Sequence, residues 1–415
     1  MIRESVERRL RDDHGDDGYV FPAYEDYCFA NVPHTVTSLL GADTGRTLPD
    51  DVFEGVDTDG IDTVILVLID GFGLEQWKRD HGNHEFLSRV TERGTVTPLT
   101  SIYPSETAAA ITTFHTGVLP AQHGVIGWNV YEPTVDAEFE ALPFRTKDGE
   151  APAGLTREDV FDAEALYPAL GERGVESHHV DPLDKAYAGT IPHTYEYGDA
   201  ADTESTLRDA VDAAEPPSYV FAYFPHVDHA SHGSGTESDE YQEALSAVDE
   251  TVANALDGVA DAAAEDTLVV VTADHGHVDT DPERNVELSG VDGLTESLRQ
   301  RADGTPIRFC GSPRNVHLQL RPDRVEPLRE RLLDVLDARV FRREEVLDSD
   351  LFGDVDPSET FRRRLGDIVL THRNLGTWFG DAEPEELDLV GMHGGLHPHE
   401  MIVPFAAARL SDVRE

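Results

Sequence analysis

Val269-Val270-Val271-Thr272-Ala273-Asp274-His275-Gly276-His277 runs an apolar, β-branched strand straight into an aspartate and a histidine. A continuous apolar run of this kind suits a strand buried on both faces, as in a parallel sheet covered by helices. Burying Asp274 and His275 at its end requires partners, and a bound metal would satisfy both. An Asp–His pair capping the next turn is the simpler alternative. Working upstream, Val64–Ile69 repeats the pattern and ends at Asp70-Gly71-Phe72-Gly73. Tyr219–Phe224 does so again and leads to Asp228. An acid placed after such a strand can face the crevice at the carboxyl ends of the sheet, where α/β folds collect catalytic groups.

Between these strands the periodicity turns helical, over Glu106 to His115, Tyr167 to Arg173 and Glu237 to Leu256, with a further strand at Gly174–Val180. The alternation predicts an α/β fold, a central mostly parallel sheet with helices on both faces. Residues 300–350 differ: Asn315–Leu320 reads as a strand, Val325–Leu336 as a helix and Arg339–Glu344 as another strand. They suggest a small peripheral α+β subdomain, after which the chain returns with Asp367–Thr371. Residues 1–60 read as an N-terminal extension packing on the core, with short helices at Ile2 to Leu10 and Val32 to Leu40, and 61–415 as the catalytic domain.

Other motifs carry chemistry. In Pro104-Ser105-Glu106-Thr107-Ala108-Ala109-Ala110 a hydroxyl residue opens an alanine-rich helix. The helix N-terminus offers free N–H groups to an anion, and a hydroxyl there that also meets a metal becomes a nucleophile toward phosphorus. The alternative is ordinary capping by Ser105 or Thr107. In Asp228-His229-Ala230-Ser231-His232, a spacing of four puts Asp228 and His232 on one side of a helical turn, as a chelating pair. In Gly391-Met392-His393-Gly394-Gly395-Leu396-His397-Pro398-His399-Glu400, three histidines compete for one ligand role. His393 is favoured because the following glycines let the backbone approach a crowded site. His277 and Glu400 are candidates for orienting a ligand from behind. His123 reads as a structural turn residue.

The formal net charge is −49, from 82 Asp+Glu against 33 Lys+Arg, and only three lysines occur. The acids interrupt apolar residues along the whole chain, as in Asp209 to Glu215, rather than forming a tail. Self-repulsion of this size opposes compactness. At roughly molar salt the Debye length is about 3 Å, which screens most of it. A high-salt cytoplasm is the expected setting. Duplex nucleic acid is disfavoured by the same charge. Cys28 and Cys310 are expected to be free thiols, Met1 to Asp13 shows no signal peptide, and no apolar run spans a membrane.

In combination and order these motifs resemble the alkaline phosphatase superfamily, in particular its type I phosphodiesterase/nucleotide pyrophosphatase branch. ETAAAITTFHTG (Glu106–Gly117) resembles the nucleophile helix, HGVIGWNVYEP (His123–Pro133) the segment after it, and RRLGDIVL (Arg363–Leu370) a core strand. HGGLHPHEMIVP (His393–Pro404) is similar to the end of PglZ-type members. The resemblance implies Thr107 as nucleophile and two zinc ions, other divalent metals being possible. One would be held by Asp228, His232 and His393, the other by Asp70, Asp274, His275 and the Thr107 oxygen. It implies a small phosphate-ester or nucleotide substrate. The branch's phosphate-binding asparagine is absent near Ala110, with Asn129 and Arg314 as replacement candidates. Phosphomonoester or phosphonate hydrolysis at the same site, or a non-catalytic PglZ-like regulatory or interaction role, are the alternatives.

Overall fold

The computed structural model describes residues 1–182, 190–198 and 200–414. A seven-stranded sheet organises the fold, in the spatial order Thr95–Thr100, Ile402–Arg409, Thr267–Thr272, Thr63–Ile69, Ser218–Phe224, Glu176–Val180, His193–Tyr195. The strands from Thr267–Thr272 to His193–Tyr195 pair parallel. Ile402–Arg409 pairs antiparallel with both neighbours. That reversal matters for the site. The reversed strand begins at the edge of the sheet where the others finish, so the loop before it meets the loops after them.

The apolar runs behave as their composition predicts. Val64 to Leu68 and Leu268 to Val271 are all at 0% exposure, so both faces of each strand are covered. The pairings Thr272↔Leu68 and Leu68↔Tyr223 bring the ends of three strands level. Helices flank the sheet, giving the expected mixed α/β fold. Glu85–Arg93 packs on the Thr95–Thr100 and Ile402–Arg409 side, and Asp239–Asp257 packs on Ala200–Ala213 and His226–Ser234. The helix Thr107–Thr116 is buried along its whole length, which its small residues permit. It stops at Gly117, whose φ of 72° is the left-handed C-terminal turn glycine favours, and a Cβ there would meet the His34 ring.

A second, six-stranded antiparallel sheet has the order Ala338–Arg342, Ile368–His372, Asn315–Leu318, Gly311–Ser312, Asn129–Glu132, Ala137–Glu140. Its strands come from a wider stretch of chain than 300–350. The hairpin after the Thr107 helix joins it at Gly311↔Asn129. The segment Arg363–Leu370, likened to a core strand, supplies the first three residues of Ile368–His372 here and joins this sheet rather than the main one. This sheet has its own apolar cluster, including Leu288, Val316, Leu332 and Trp378.

The first residues lie along the outer edge of the main sheet, where Ile2 bridges Val96 and Cys28 bridges Thr100. An exposed sheet edge invites pairing with another chain, and these contacts cover it. Val20 N–H also donates to the Leu396 carbonyl at 2.9 Å, touching the His393 loop. Both cysteines are free and buried. Among the described residues no helix is long and apolar enough to cross a membrane.

Candidate metal centre

Asp70 follows the Thr63–Ile69 strand, Asp274 and His275 follow Thr267–Thr272, and Asp228 and His232 lie on the helix that succeeds Ser218–Phe224. Thr107 opens its helix, and His393 lies in the loop before the reversed strand. The structure brings all seven predicted residues to this one edge of the sheet.

Two clusters result. In the first, Asp228 Oδ1 lies 3.3 Å from His232 Nε2 and 3.5 Å from His393 Nε2, and the two Nε2 atoms are 3.3 Å apart. Tetrahedral zinc with bonds of about 2.0–2.1 Å sets its ligand atoms roughly 3.3 Å from one another. The protonation pattern agrees. His232 Nδ1 donates to the Gly391 carbonyl at 2.7 Å and His393 Nδ1 to the Ser105 carbonyl at 3.2 Å. A carbonyl only accepts, so both Nδ1 atoms carry the proton and both Nε2 lone pairs face the carboxylate. Three electron-rich atoms converging with no hydrogen between them need a cation. His277 joins this cluster, with Nε2 3.1 Å from Asp228 Oδ1 and Nδ1 3.0 Å from the Gly71 carbonyl. With Nδ1 donating to that carbonyl, its Nε2 is a further donor atom beside Asp228, His232 and His393.

In the second cluster His275 Nε2 lies 3.2 Å from Asp70 Oδ1, 3.5 Å from Asp274 Oδ2 and 3.0 Å from Thr107 Oγ1. His275 Nδ1 points to the Gly276 carbonyl at 3.1 Å, so here too Nε2 presents a lone pair. The clusters are contiguous: Asp70, Asp228 and His275 also have donor atoms within 4.8 Å of one another, and the His275 and His393 rings stack at 3.6 Å.

Electrostatics favours the same conclusion. Burial, with the charges of Asp274 and Asp228, pushes the Asp70 carboxyl well above its ordinary value. Burial works to raise Asp228, and protons on the imidazoles around it, His232 first, would hold it well below the usual range; with those imidazoles neutral, a dication takes that part. Burial and the neighbouring His275 drive His393 well below an ordinary imidazole, which keeps it neutral. The buried atoms Asp70 Oδ1, Asp228 Oδ1 and Asp274 Oδ2 have no hydrogen-bond donor. Unpaired buried carboxylate oxygens are costly, and dications would supply the missing charge.

The capping alternative for Thr107 does not hold. The N-cap is Glu106, and it makes no side-chain cap bond. Ser105 Oγ donates instead to the Gly395 carbonyl at 2.8 Å. The first N–H groups of the Thr107 helix therefore remain available to an anion.

The competing histidines are resolved by position. His397 caps the short Pro398–Met401 helix and accepts from the His399 amide, and neither histidine is among the clustered donors. Glu400 holds the loop itself, accepting from the Gly395 and His397 amides and pairing with Arg314 at 2.5 Å. That pair is fully buried, so Arg314 is committed to Glu400 and is corrected as a phosphate-binding candidate. His123 is structural, bonded to Thr113 and to the Val125 amide. Gly276 explains how the loops fit: its amide donates to the Glu400 carbonyl at 2.9 Å, and a Cβ would lie 2.1 Å from the His399 carbonyl oxygen.

A cavity of ≈ 550 Å³ opens onto the clusters, lined by Thr107, Trp128, Asn129, Arg145, His232 and His393 among others. Asn129, the other candidate, reaches it, but its Nδ2 donates to the Gly311 carbonyl at 3.1 Å. Sequence reasoning passed over Tyr223, whose hydroxyl donates to Asp70 Oδ2. It also passed over Trp128, which lines the cavity. Within one sequence neither differs from the other aromatic residues of its segment.

A family model described as "Type I phosphodiesterase / nucleotide pyrophosphatase" matches residues 64–396. An "uncharacterized pyrophosphatase/phosphodiesterase" of Schizosaccharomyces pombe is 26% identical over 252 residues, 56% of this chain and 48% of that protein. The chain thus spans about half the length of this curated relative. Murine ectonucleotide pyrophosphatase / phosphodiesterase 5, an inactive form in complex with AMP, superposes with a TM-score of 0.65 at 15% identity, over 84% of this chain and 88% of that one. Phosphonoacetate hydrolase from Sinorhizobium meliloti 1021, in complex with phosphonoformate, gives 0.60 at 20% identity, over 87% and 95%. At these identities the structural matches speak to the fold.

Proposed function

The chain belongs to the type I phosphodiesterase / nucleotide pyrophosphatase family, and we propose that it is a metal-dependent phosphate-ester hydrolase with Thr107 as nucleophile. The observation that carries this reading is the convergence of two unprotonated Nε2 atoms and a carboxylate oxygen at 3.3–3.5 Å, beside a second set that includes a hydroxyl. Asp228, His232 and His393 would hold one metal, and Asp70, Asp274, His275 and Thr107 the other. Imidazole with carboxylate ligands suits zinc. Bound there, two dications would supply Lewis-acid charge to the attacking and leaving oxygens of an in-line displacement.

The chain's own groups do the rest. The free amides at the start of the Thr107 helix receive a non-bridging phosphate oxygen. Thr107 Oγ1 gives up its proton to solvent and forms a bond to phosphorus as the bond to the leaving oxygen breaks, and the departing alkoxide takes up a proton from solvent. Water then cleaves the phosphoryl–threonine ester and restores the hydroxyl. Tyr223 holds Asp70 in place.

A diester or pyrophosphate is favoured over a monoester by the cavity. Its ≈ 550 Å³ lies within the range of about 300–1,000 Å³ typical of small-molecule sites, and extends past Thr107 to Trp128 and Arg145. A nucleotide fits the same space, with Trp128 among the lining residues as an aromatic partner for a base. The net charge of −49 supports work at high salt, and we place the protein in a salt-rich cytoplasm. The test is hydrolysis of bis-aryl against mono-aryl phosphates by metal-loaded and chelated protein. Diester turnover that chelation removes and zinc restores supports the reading. Metal-loaded protein inert on every ester would instead support a non-catalytic role.

A further inference from the structure

Glu176, His178 and His193 gather at the opposite end of the main sheet. Glu176 opens its strand level with Ser218, the first residue of the strand that runs toward Asp228. His178 is level with Val220, four residues before Phe224, so at a rise of about 3.3 Å each the histidines lie roughly 13 Å short of that carboxyl end along the strand, and further off across the sheet.

The strand geometry puts three donors together. His178 and His193 are direct register partners on neighbouring parallel strands. Glu176, two residues before His178, shares its face of the sheet. The two imidazole rings stack at 4.5 Å between centroids and 13° between planes. One donor atom from each of the three residues lies within 4.8 Å of the others. Glu176 Oε2 is 3.4 Å from His178 Nε2, longer than the usual 2.7–2.9 Å or so of a charge-assisted hydrogen bond. It matches the separation of roughly 3.3 Å between two ligands of one tetrahedral zinc. On its other side His178 Nδ1 meets the Tyr195 hydroxyl at 3.1 Å. That oxygen can accept from Nδ1–H, leaving the Nε2 lone pair on the Glu176 side, and such a partner behind a ligating histidine is usual in metal sites. His178 is buried while Glu176 and His193 reach solvent, so an ion has a way in.

We propose that Glu176, His178 and His193 form a further binding site for a divalent transition metal, zinc or its neighbours cobalt and nickel, that clips the edge strand onto the main sheet. Two imidazoles and one carboxylate disfavour magnesium and calcium, which prefer all-oxygen shells. Three protein ligands leave the fourth position to water. The role is structural. His193–Tyr195 is a three-residue edge strand joined to the sheet by three residue pairs, and a metal bound to both strands adds a cross-link where pairing is shortest. The site shares no ligand with the proposed catalytic centre and stands or falls separately.

The experiment counts zinc by emission spectrometry in full-length protein that has been loaded and then desalted. It compares wild type with His193→Ala, a change at an exposed residue, and with Glu176→Gln. The expected result is a fall of about one equivalent per chain in each variant, with ester hydrolysis unchanged. Hydrogen exchange of 176–180 and 193–195 should accelerate in the same variants. Asp228→Asn/Asp274→Asn should retain the one equivalent that His193→Ala removes. Retention of it alongside an inert wild type would refute only the catalytic reading. Equal zinc content in wild type and His193→Ala overturns the proposal, and so does an equivalent that desalting removes from both.

Discussion

Tyr223→Phe deletes one oxygen and tests whether Asp70 serves a metal. The Tyr223 hydroxyl donates to Asp70 Oδ2, with both residues buried. Burial, with the charge of Asp70, holds the phenol well above its ordinary value, so it stays a donor at any working pH. Its hydrogen bond is one of the few influences pulling Asp70 down, against burial and the charges of Asp274 and Asp228. A metal must displace any proton on Asp70. Losing the donor therefore weakens metal uptake at that site. A hydrogen bond to a charged group contributes about 1.5–3 kcal/mol. At about 1.4 kcal/mol per decade this corresponds to a roughly tenfold to hundredfold loss of affinity, the range seen when partners behind metal ligands are removed. Phenylalanine fills the same space, so the fold persists. The assay is competitive zinc titration against a chromogenic chelator, with diester turnover measured on the same samples. One metal should weaken by that factor while the other is unchanged, and turnover should recover at high zinc. Unchanged affinity for both metals, with only a lower Tm, would refute the reasoning and leave Tyr223 a purely structural donor.

Further outcomes follow from named contacts. His393→Ala should remove one metal equivalent and nearly all turnover, whereas His397→Ala should keep both metals and cost only the cap of a short helix, about 1 kcal/mol; metal content separates the two. Gly276→Ala places a methyl against the His399 carbonyl, and overpacking of this kind should cost about 1–3 kcal/mol in denaturant unfolding, with weaker metal binding. Glu132 is opposed by burial, but Arg363, Thr134 and Arg364 hold it down at about 2. Its folded value lies below the unfolded one of about 4.3, so its stabilisation is present above pH 4.3 or so and lost as the pH falls toward 2. Glu132→Gln leaves Arg364 buried without its partner and should cost about 3–5 kcal/mol near neutrality. The gap to wild type should close in acid, and a gap independent of pH would contradict the pairing.

Much of the site was legible because its strands announce themselves. Val269–Val271 and Val64–Ile69 are buried on both faces, so an acid at the end of each had to lie at the sheet's carboxyl edge. The four-residue spacing of Asp228 and His232 survived intact on one helical turn. Choosing among His393, His397 and His399 was beyond local sequence. It depends on the reversed direction of Ile402–Arg409 and on the loop shape that Glu400 and Arg314 impose, and both are long-range facts. The same limit applies to Ile368–His372. Its apolar run is as strand-like as any in the core, but a run of apolar residues does not state which sheet it joins. Arg314 looked available for phosphate because its partner is 86 positions away. That Trp128 lines the cavity left no mark in periodicity or composition.

Steady-state hydrolysis of a bis-aryl phosphate by zinc-loaded wild type and Thr107→Ala tests the central claim most directly. Thr107 lies 3.0 Å from His275 Nε2 and is assigned the only bond to phosphorus made by the chain. The expected result is diester turnover in wild type that falls by at least about a thousandfold in Thr107→Ala, on the order of what covalent groups supply elsewhere, with Asp228, His232 and His393 still holding their metal. Turnover that survives Thr107→Ala would contradict the account.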